Sequence, residues 1–181
     1  MRKLSMNELN RKTAIEYEKS GKMPVIVVLE NVRSAYNVGS VFRTADAFLL
    51  YGIYICGYTA HPPHKEIKKT ALGADETVHW IHFKTAREAI DKLRKESYKI
   101  FSIEQAENSI ALNRFNLLNG ADQKLAVVFG NEVTGVEQAT IELSDGCIEI
   151  PQLGMKHSLN ISVAAGIVLW ELVRTRMALL P

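Results

Sequence analysis

The chain has 181 residues, 47% hydrophobic and 23% charged, which fits one globular domain with a full core and excludes a disordered or low-complexity protein. With 22 Lys and Arg against 20 Asp and Glu, the formal charge of +2 permits an anionic partner without requiring one. Cys56 and Cys147 form no CxxC pair and the HPPH run at 61–64 has no cysteines or carboxylates beside it, so neither a disulfide scaffold nor a metal is expected.

Residues 6–20, MNELNRKTAIEYEKS, read as a polar helix ended by Gly21. Together with Arg2, Lys3, Arg11, Lys12, Lys19 and Lys22 they make residues 1–22 a basic arm, separate from a domain over 23–181 and suited to nucleic-acid phosphates. No apolar segment of signal-peptide type opens the chain, and the apolar run Ile161–Trp170 is too short to span a bilayer, so a soluble, cytoplasmic protein is expected.

The unbroken apolar run VIVVL, Val25–Leu29, predicts a strand covered on both faces of a parallel sheet, with ENVRSAYN as its exit loop. From Val38 the apolar positions 38, 41, 42, 45, 48 and 49 follow helical spacing, with Ser40, Arg43, Thr44 and Ala47 along another stripe, so Arg43 faces away from the core. Strands follow over Gly52–Gly57 and Val78–Phe83, joined by a His/Pro/Lys loop that carries Lys65, Lys68 and Lys69. Thr85–Ser97 predicts a helix with a Thr85/Glu88 capping box, and Lys99–Ile103 a strand. A polar connection over 104–124 leads to LAVVF, Leu125–Phe129, another strand of the fully buried kind, which exits into GNEVTGV. After a short helix near Glu137–Leu143 comes the β-prone run Cys147–Ile150, which Pro151 stops. Ser158 is the expected cap of a final helix so apolar from Leu159 to Val173 that it should be buried on every side, with Ser158, Asn160 and Ser162 left as polar groups in its first turn.

Alternating strands and helices give an α/β fold with a mainly parallel sheet between helical layers. Ligands of such sheets bind beyond the carboxyl ends of the strands, so ENVRSAYNVGS, GNEVTG and PQLGMKHSLN should converge on one site. GNEVTG is not a phosphate loop: Val136 and Glu137 stand where Lys and Ser or Thr would follow, and Glu132 repels phosphate. No GxGxxG follows any strand. A cationic or neutral ligand fits the loops better than a nucleotide phosphate.

The three loops together resemble the SPOUT superfamily, and within it the SpoU or TrmH family of RNA ribose 2'-O-methyltransferases, over residues 25–175. Asn37, Gly39 and Arg43 look like that family's first motif, Gly130, Asn131, Glu132 and Gly135 like its second, and Ile150, Pro151, Gly154, Ser158, Leu159 and Asn160 like its third. The resemblance implies S-adenosylmethionine as methyl donor, a homodimer and a C-terminal trefoil knot, a topology periodicity could not propose. It implies Ile103, Gly130, Asn131, Gly135, Ile150, Pro151, Gly154 and Leu159 around the cofactor, and Arg43, Asn37, Glu132, Ser158 and Asn160 at the chemistry. Arg11, Lys12, Arg33, Lys65, Lys68 and Lys69 are the candidate RNA contacts. Because some ribosomal-RNA members carry an additional N-terminal domain and only residues 1–22 precede the first strand here, transfer RNA is the expected substrate rather than ribosomal RNA. The alternatives are a non-catalytic RNA-binding dimer of the same fold and a flavodoxin-like small-molecule enzyme. Intact Asn37, Arg43, Glu132 and Asn160 argue against the first, and the missing phosphate-cradle glycines against the second.

Overall fold

The structure, a computed structural model, describes residues 1–9, 12–116, 122–156 and 158–178. Among these residues seven strands form one sheet in the order β3-β2-β1-β6-β4-β7-β5, every neighbouring pair parallel. The strands are β1 (Met23–Glu30), β2 (Leu50–Cys56), β3 (Trp80–Phe83), β4 (Lys99–Ile103), β5 (Ile110–Ala111), β6 (Leu125–Phe129) and β7 (Gly146–Glu149). The helices are α1 (Ala14–Lys19), α2 (Ala35–Ala47), α3 (Lys65–Ala71), α4 (Ala74–Thr77), α5 (Ala86–Lys95), α6 (Gln138–Leu143) and α7 (Ile161–Met177).

The two apolar runs lie side by side at the centre, Val25 opposite Leu125 and Leu29 opposite Phe129, and are buried throughout. Side chains alternate between the faces of a strand, and β1 feeds two cores. Val25, Val27 and Leu29 join α2 and α7 on one face, while Ile26 and Val28 join α5 on the other. Each such aliphatic side chain contributes about 1.5–3 kcal/mol by leaving water, and β1 carries a buried polar group only at its last residue, Glu30, whose carboxylate accepts from the Glu137 amide and the Thr140 hydroxyl.

The local structure departs from the sequence expectation in five places. The run 6–20 is not one helix: a 3-10 turn occupies Met6–Leu9, and α1 starts only after Thr13, whose capping box with Glu16 is complete. Tyr17 then buries itself under Lys22 and fastens α1 to the body. The His/Pro/Lys loop contains two short helices, because His64 accepts the Glu66 amide at 3.2 Å and caps α3. At α5 only half the expected box exists: Thr85 accepts the Glu88 amide, but the Glu88 carboxylate takes the Lys84 amide. The connection 104–124 includes β5 and a 3-10 turn over Leu112–Arg114.

The fifth departure concerns α7. Its cap is Asn160, not Ser158, since Asn160 Oδ1 accepts the Ser162 amide at 2.9 Å and the Ser162 hydroxyl at 2.6 Å. Ser158 and Leu159 stay outside the helix. Nor is α7 buried all round: Val163, Ile167 and Trp170 are 50%, 39% and 50% exposed along one stripe. A single sheet face can cover only one side of a helix, and among the described residues nothing buries this stripe of α7.

Candidate active site

The strand exits meet beyond the carboxyl ends of β4, β6 and β7, around a cavity of about 410 Å³. That volume lies within the range of small-molecule sites. Its apolar lining comes from Phe129, Ile150, Leu159, Ile161 and Ala164, and the GNEVTG turn lines it as well.

That turn is built by backbone contact. Asn131 and Gly135 exchange both main-chain hydrogen bonds at 2.9 Å, and Asn131 Oδ1 accepts the amides of Val133 and Thr134. A Cβ on Gly130 would meet the Gly135 carbonyl group at 2.2 Å, so no larger residue fits. Gly135 itself has φ +71°, in the left-handed region that favours glycine. A Cβ there would meet Glu104 Oε2 at 2.1 Å, the oxygen that accepts the Val136 amide at 3.1 Å. The Asn131 amide donates outward, to the Asn31 carbonyl and the Tyr58 hydroxyl, and fastens the turn to the exits of β1 and β2.

A hydrogen-bonded chain ties the three loops together. Asn160 Nδ2 donates to Asn37 Oδ1 at 3.2 Å, and Asn37 Nδ2 donates to Glu132 Oε1 at 2.9 Å. Glu132 also receives the Arg33 amide at 2.9 Å and the Ser34 amide at 3.1 Å, at the start of α2. A carboxylate is favoured at a helix start by the open amides and the helix dipole. Burial pushes the Glu132 carboxyl up, but these donors outweigh it and hold the group below its ordinary value.

Among the residues expected at the site, Ile103, Gly130, Asn131, Gly135, Ile150 and Leu159 line the cavity, with Glu132 and Ser158. Asn37 and Asn160 reach it through the chain just described. Pro151 and Gly154 do not line it; both are exposed, and a Cβ on Gly154 would meet nothing within 4 Å. Gly39 serves α2's packing instead, since a Cβ there would strike Ile67 of α3 at 2.4 Å. Arg43 is exposed on α2 beside Ala47, as the stripe predicted, but outside the cavity, and among the described residues it has no hydrogen-bond or ion-pair partner. Arg33, Lys12, Lys65, Lys68 and Lys69 are all exposed, Lys68 paired with Glu76 at 3.1 Å, while Arg11 lies outside the described residues. The sequence reading missed Glu104, Gln105, Glu149 and Gln152 on the wall. Glu104 follows the apolar run of β4 directly, so the strand-exit rule that found the other loops could have found it. No group of three or more His, Cys, Asp or Glu side chains among the described residues has a metal-binding arrangement.

The profile of the SpoU rRNA Methylase family matches residues 24–170. The chain belongs to this family. SpoU methylases take their methyl group from S-adenosylmethionine. Among relatives, a tRNA (guanosine(18)-2'-O)-methyltransferase of Thermus thermophilus is 29% identical over 94% of this chain and 84% of its own length. A 23S rRNA (guanosine-2'-O-)-methyltransferase, RlmB, of Vibrio cholerae is 32% identical over 94% of this chain and 67% of its own length. Among solved structures, the A. aeolicus TrmH/SpoU tRNA modifying enzyme superposes with a TM-score of 0.77 at 26% identity, covering 90% of this chain and 79% of that one. An AdoMet-bound rRNA methyltransferase from Sinorhizobium meliloti gives 0.77 at 25% identity, covering 93% of this chain and 60% of that one. The SPOUT-type α/β fold expected from the three motifs is therefore the observed one.

The cavity suits the family's cofactor. Its apolar lining matches an adenine face, and the Gly130–Gly135 contact makes a backbone cradle that any Cβ would fill.

Proposed function

We propose that the protein methylates a ribose 2'-hydroxyl of transfer RNA, with S-adenosylmethionine as donor and no metal. The observation that carries this reading is the Asn160–Asn37–Glu132 chain, which joins the three loops beside one cavity that Glu132 lines in a SpoU-family chain. The cofactor would be held by the backbone around Gly130 and Gly135 and by Ile150 and Leu159, and it supplies an electrophilic methyl group on a sulfonium sulfur. A neutral hydroxyl is a weak nucleophile, so the protein has to stabilise the oxygen as negative charge develops and its proton leaves. Arg43 carries that role as a fixed positive charge and phosphate clamp, since arginine holds its proton too firmly to act as a base. Asn37, Glu132, Ser158 and Asn160 orient the ribose.

Arg43 is exposed on α2, which packs against α7, the helix with the exposed apolar stripe, and the rings of Phe48 at the end of α2 and Trp170 lie with centroids 6.0 Å apart. Pairing of two copies through this face makes the homodimer and brings Arg43 to the seam between their cavities. The family's trefoil knot over the C-terminal segment and a reducing cytoplasmic setting, in which two buried free thiols stay reduced, complete the reading. Lys12, Arg33, Lys65, Lys68 and Lys69 are its RNA contacts, with residues 1–22 as a basic arm.

Transfer RNA is favoured on the likeness to the tRNA (guanosine(18)-2'-O)-methyltransferase, 29% identical over 94% of this chain, and to the tRNA modifying enzyme that superposes with a TM-score of 0.77. The slightly higher identity to the ribosomal relative, 32% against 29%, supports ribosomal RNA as the second reading. Incubating the purified protein with S-adenosylmethionine and each RNA pool, then mapping 2'-O-methyl nucleotides, tests both. Methyl transfer confined to transfer RNA is the expected result. Transfer to ribosomal RNA alone selects the second reading, and methylation of a base rejects both.

A further inference from the structure

The cavity wall carries three carboxylates, Glu104, Glu132 and Glu149, and no Lys, Arg or His among its described lining residues. Two of the three are occupied: Glu132 holds the start of α2, and Glu104 accepts the Val136 amide at 3.1 Å and the Gln105 amide at 2.9 Å. Glu149 is different. It is the last residue of β7, half-buried, and among the described residues no hydrogen bond or ion pair reaches its carboxylate. A half-buried charge without a partner is costly, and a wall of one sign of charge raises the local preference for the opposite sign.

Resting on the function proposed above, we propose that Glu149, supported by Glu104, makes this cavity select the cationic form of the cofactor over its spent form. S-adenosylmethionine has a sulfonium, an ammonium and a carboxylate, and so one net positive charge. S-adenosylhomocysteine has lost the sulfonium charge with the methyl group and is neutral overall. The two molecules share every other group, so an apolar pocket and a backbone cradle bind them nearly alike. Only a charge on the wall tells them apart. Methyl transfer breaks the sulfur–carbon bond, leaves its electron pair on sulfur and forms the carbon–oxygen bond, while the hydroxyl proton passes to solvent. The charge that Glu149 attracts therefore disappears in the reaction, which loosens the product and favours exchange for fresh donor.

Titration calorimetry of the full chain with each ligand tests this without relying on turnover. The wild type should bind S-adenosylmethionine more tightly than S-adenosylhomocysteine. Glu149→Gln, which keeps shape and removes charge, should narrow the ratio of the two dissociation constants by about three- to tenfold, as expected for a solvent-screened charge several ångströms away. The narrowing should come from weaker S-adenosylmethionine binding, and Glu149→Asp, which keeps the charge, should retain most of the preference. Glu104→Gln should narrow the ratio less. An amine analogue protonated at the sulfur position should follow S-adenosylmethionine through the series. If both ligands bind and the ratio is the same in the wild type, Glu149→Gln and Glu104→Gln, the charge-selection proposal is wrong while the function stands. If the wild type binds neither ligand, both fall.

Discussion

Glu132 is an exposed carboxylate that receives a side-chain amide and two backbone amides, and its shift sets a pH dependence. Burial raises its pKa, but the donors lower it further, so the folded-state value lies below the unfolded one. Its stabilising contribution is therefore complete above the ordinary glutamate value and is lost as pH falls through the lower folded value. Glu132→Gln should remove that part of the acid limb and cost about 1–2 kcal/mol at neutral pH, because one amide cannot accept from three donors. Urea melts of both proteins across acid pH would show it, and parallel curves would reject it. Arg43→Ala, by contrast, removes a side chain with no partner among the described residues and should leave the melting temperature unchanged. Single-turnover methylation should nonetheless fall about 100-fold or more, and Arg43→Lys should recover little of it. A rate near wild type would make Arg43 an ordinary surface residue. The types and positions of these residues could be read from the sequence, but their connection could not. The bonds Asn37–Glu132 and Asn160–Asn37 join positions 95 and 123 apart, and no local pattern encodes them. Ser158 misled for the opposite reason: Ser158, Asn160 and Ser162 can each cap a helix, and only the packing of Ile161 into the core decides among them.

At the scale of elements, the GNEVTG turn depends on two glycines for different reasons. Gly130 touches the main chain of Gly135, which cannot yield, whereas the obstacle at Gly135 is the end of the Glu104 side chain plus a positive φ. Gly130→Ala should then cost more, about 2–3 kcal/mol against about 1–2 kcal/mol for Gly135→Ala. Both should weaken S-adenosylmethionine binding, as calorimetry beside thermal melts would reveal; a Gly130→Ala protein that melts and binds like wild type would show that the contact can relax. The strands were readable because burial on both faces demands unbroken apolar runs such as VIVVL and LAVVF. The helices α3 and α4 were not. KEIKKTA buries only Ile67 and Ala71, too few positions for a periodic signal, and the cap that starts it is a histidine.

At the scale of the molecule, the sequence showed α7 as apolar all round but could not say what covers each side. One side faces the sheet, and Val163, Ile167 and Trp170 remain for a partner. A contiguous apolar stripe of this kind marks an interaction surface; if the proposed dimer forms through it, Trp170→Glu should give a monomer in light scattering where the wild type gives a dimer, and lower methylation with it. An unaltered dimer would move the interface elsewhere. The strand order has a further effect, on biosynthesis. β1 pairs with β2, which follows at once, but its other edge waits for β6, with Val25 opposite Leu125. While the ribosome makes the intervening chain, the open edge of VIVVL is an apolar template for any other extended chain. Nascent chains halted before Leu125 should aggregate or stay on chaperones, and the full-length chain, which supplies both β6 and the α7 cover of Val25, Val27 and Leu29, should not. The central position that makes this strand so stable when folded makes it the protein's weakest point during translation.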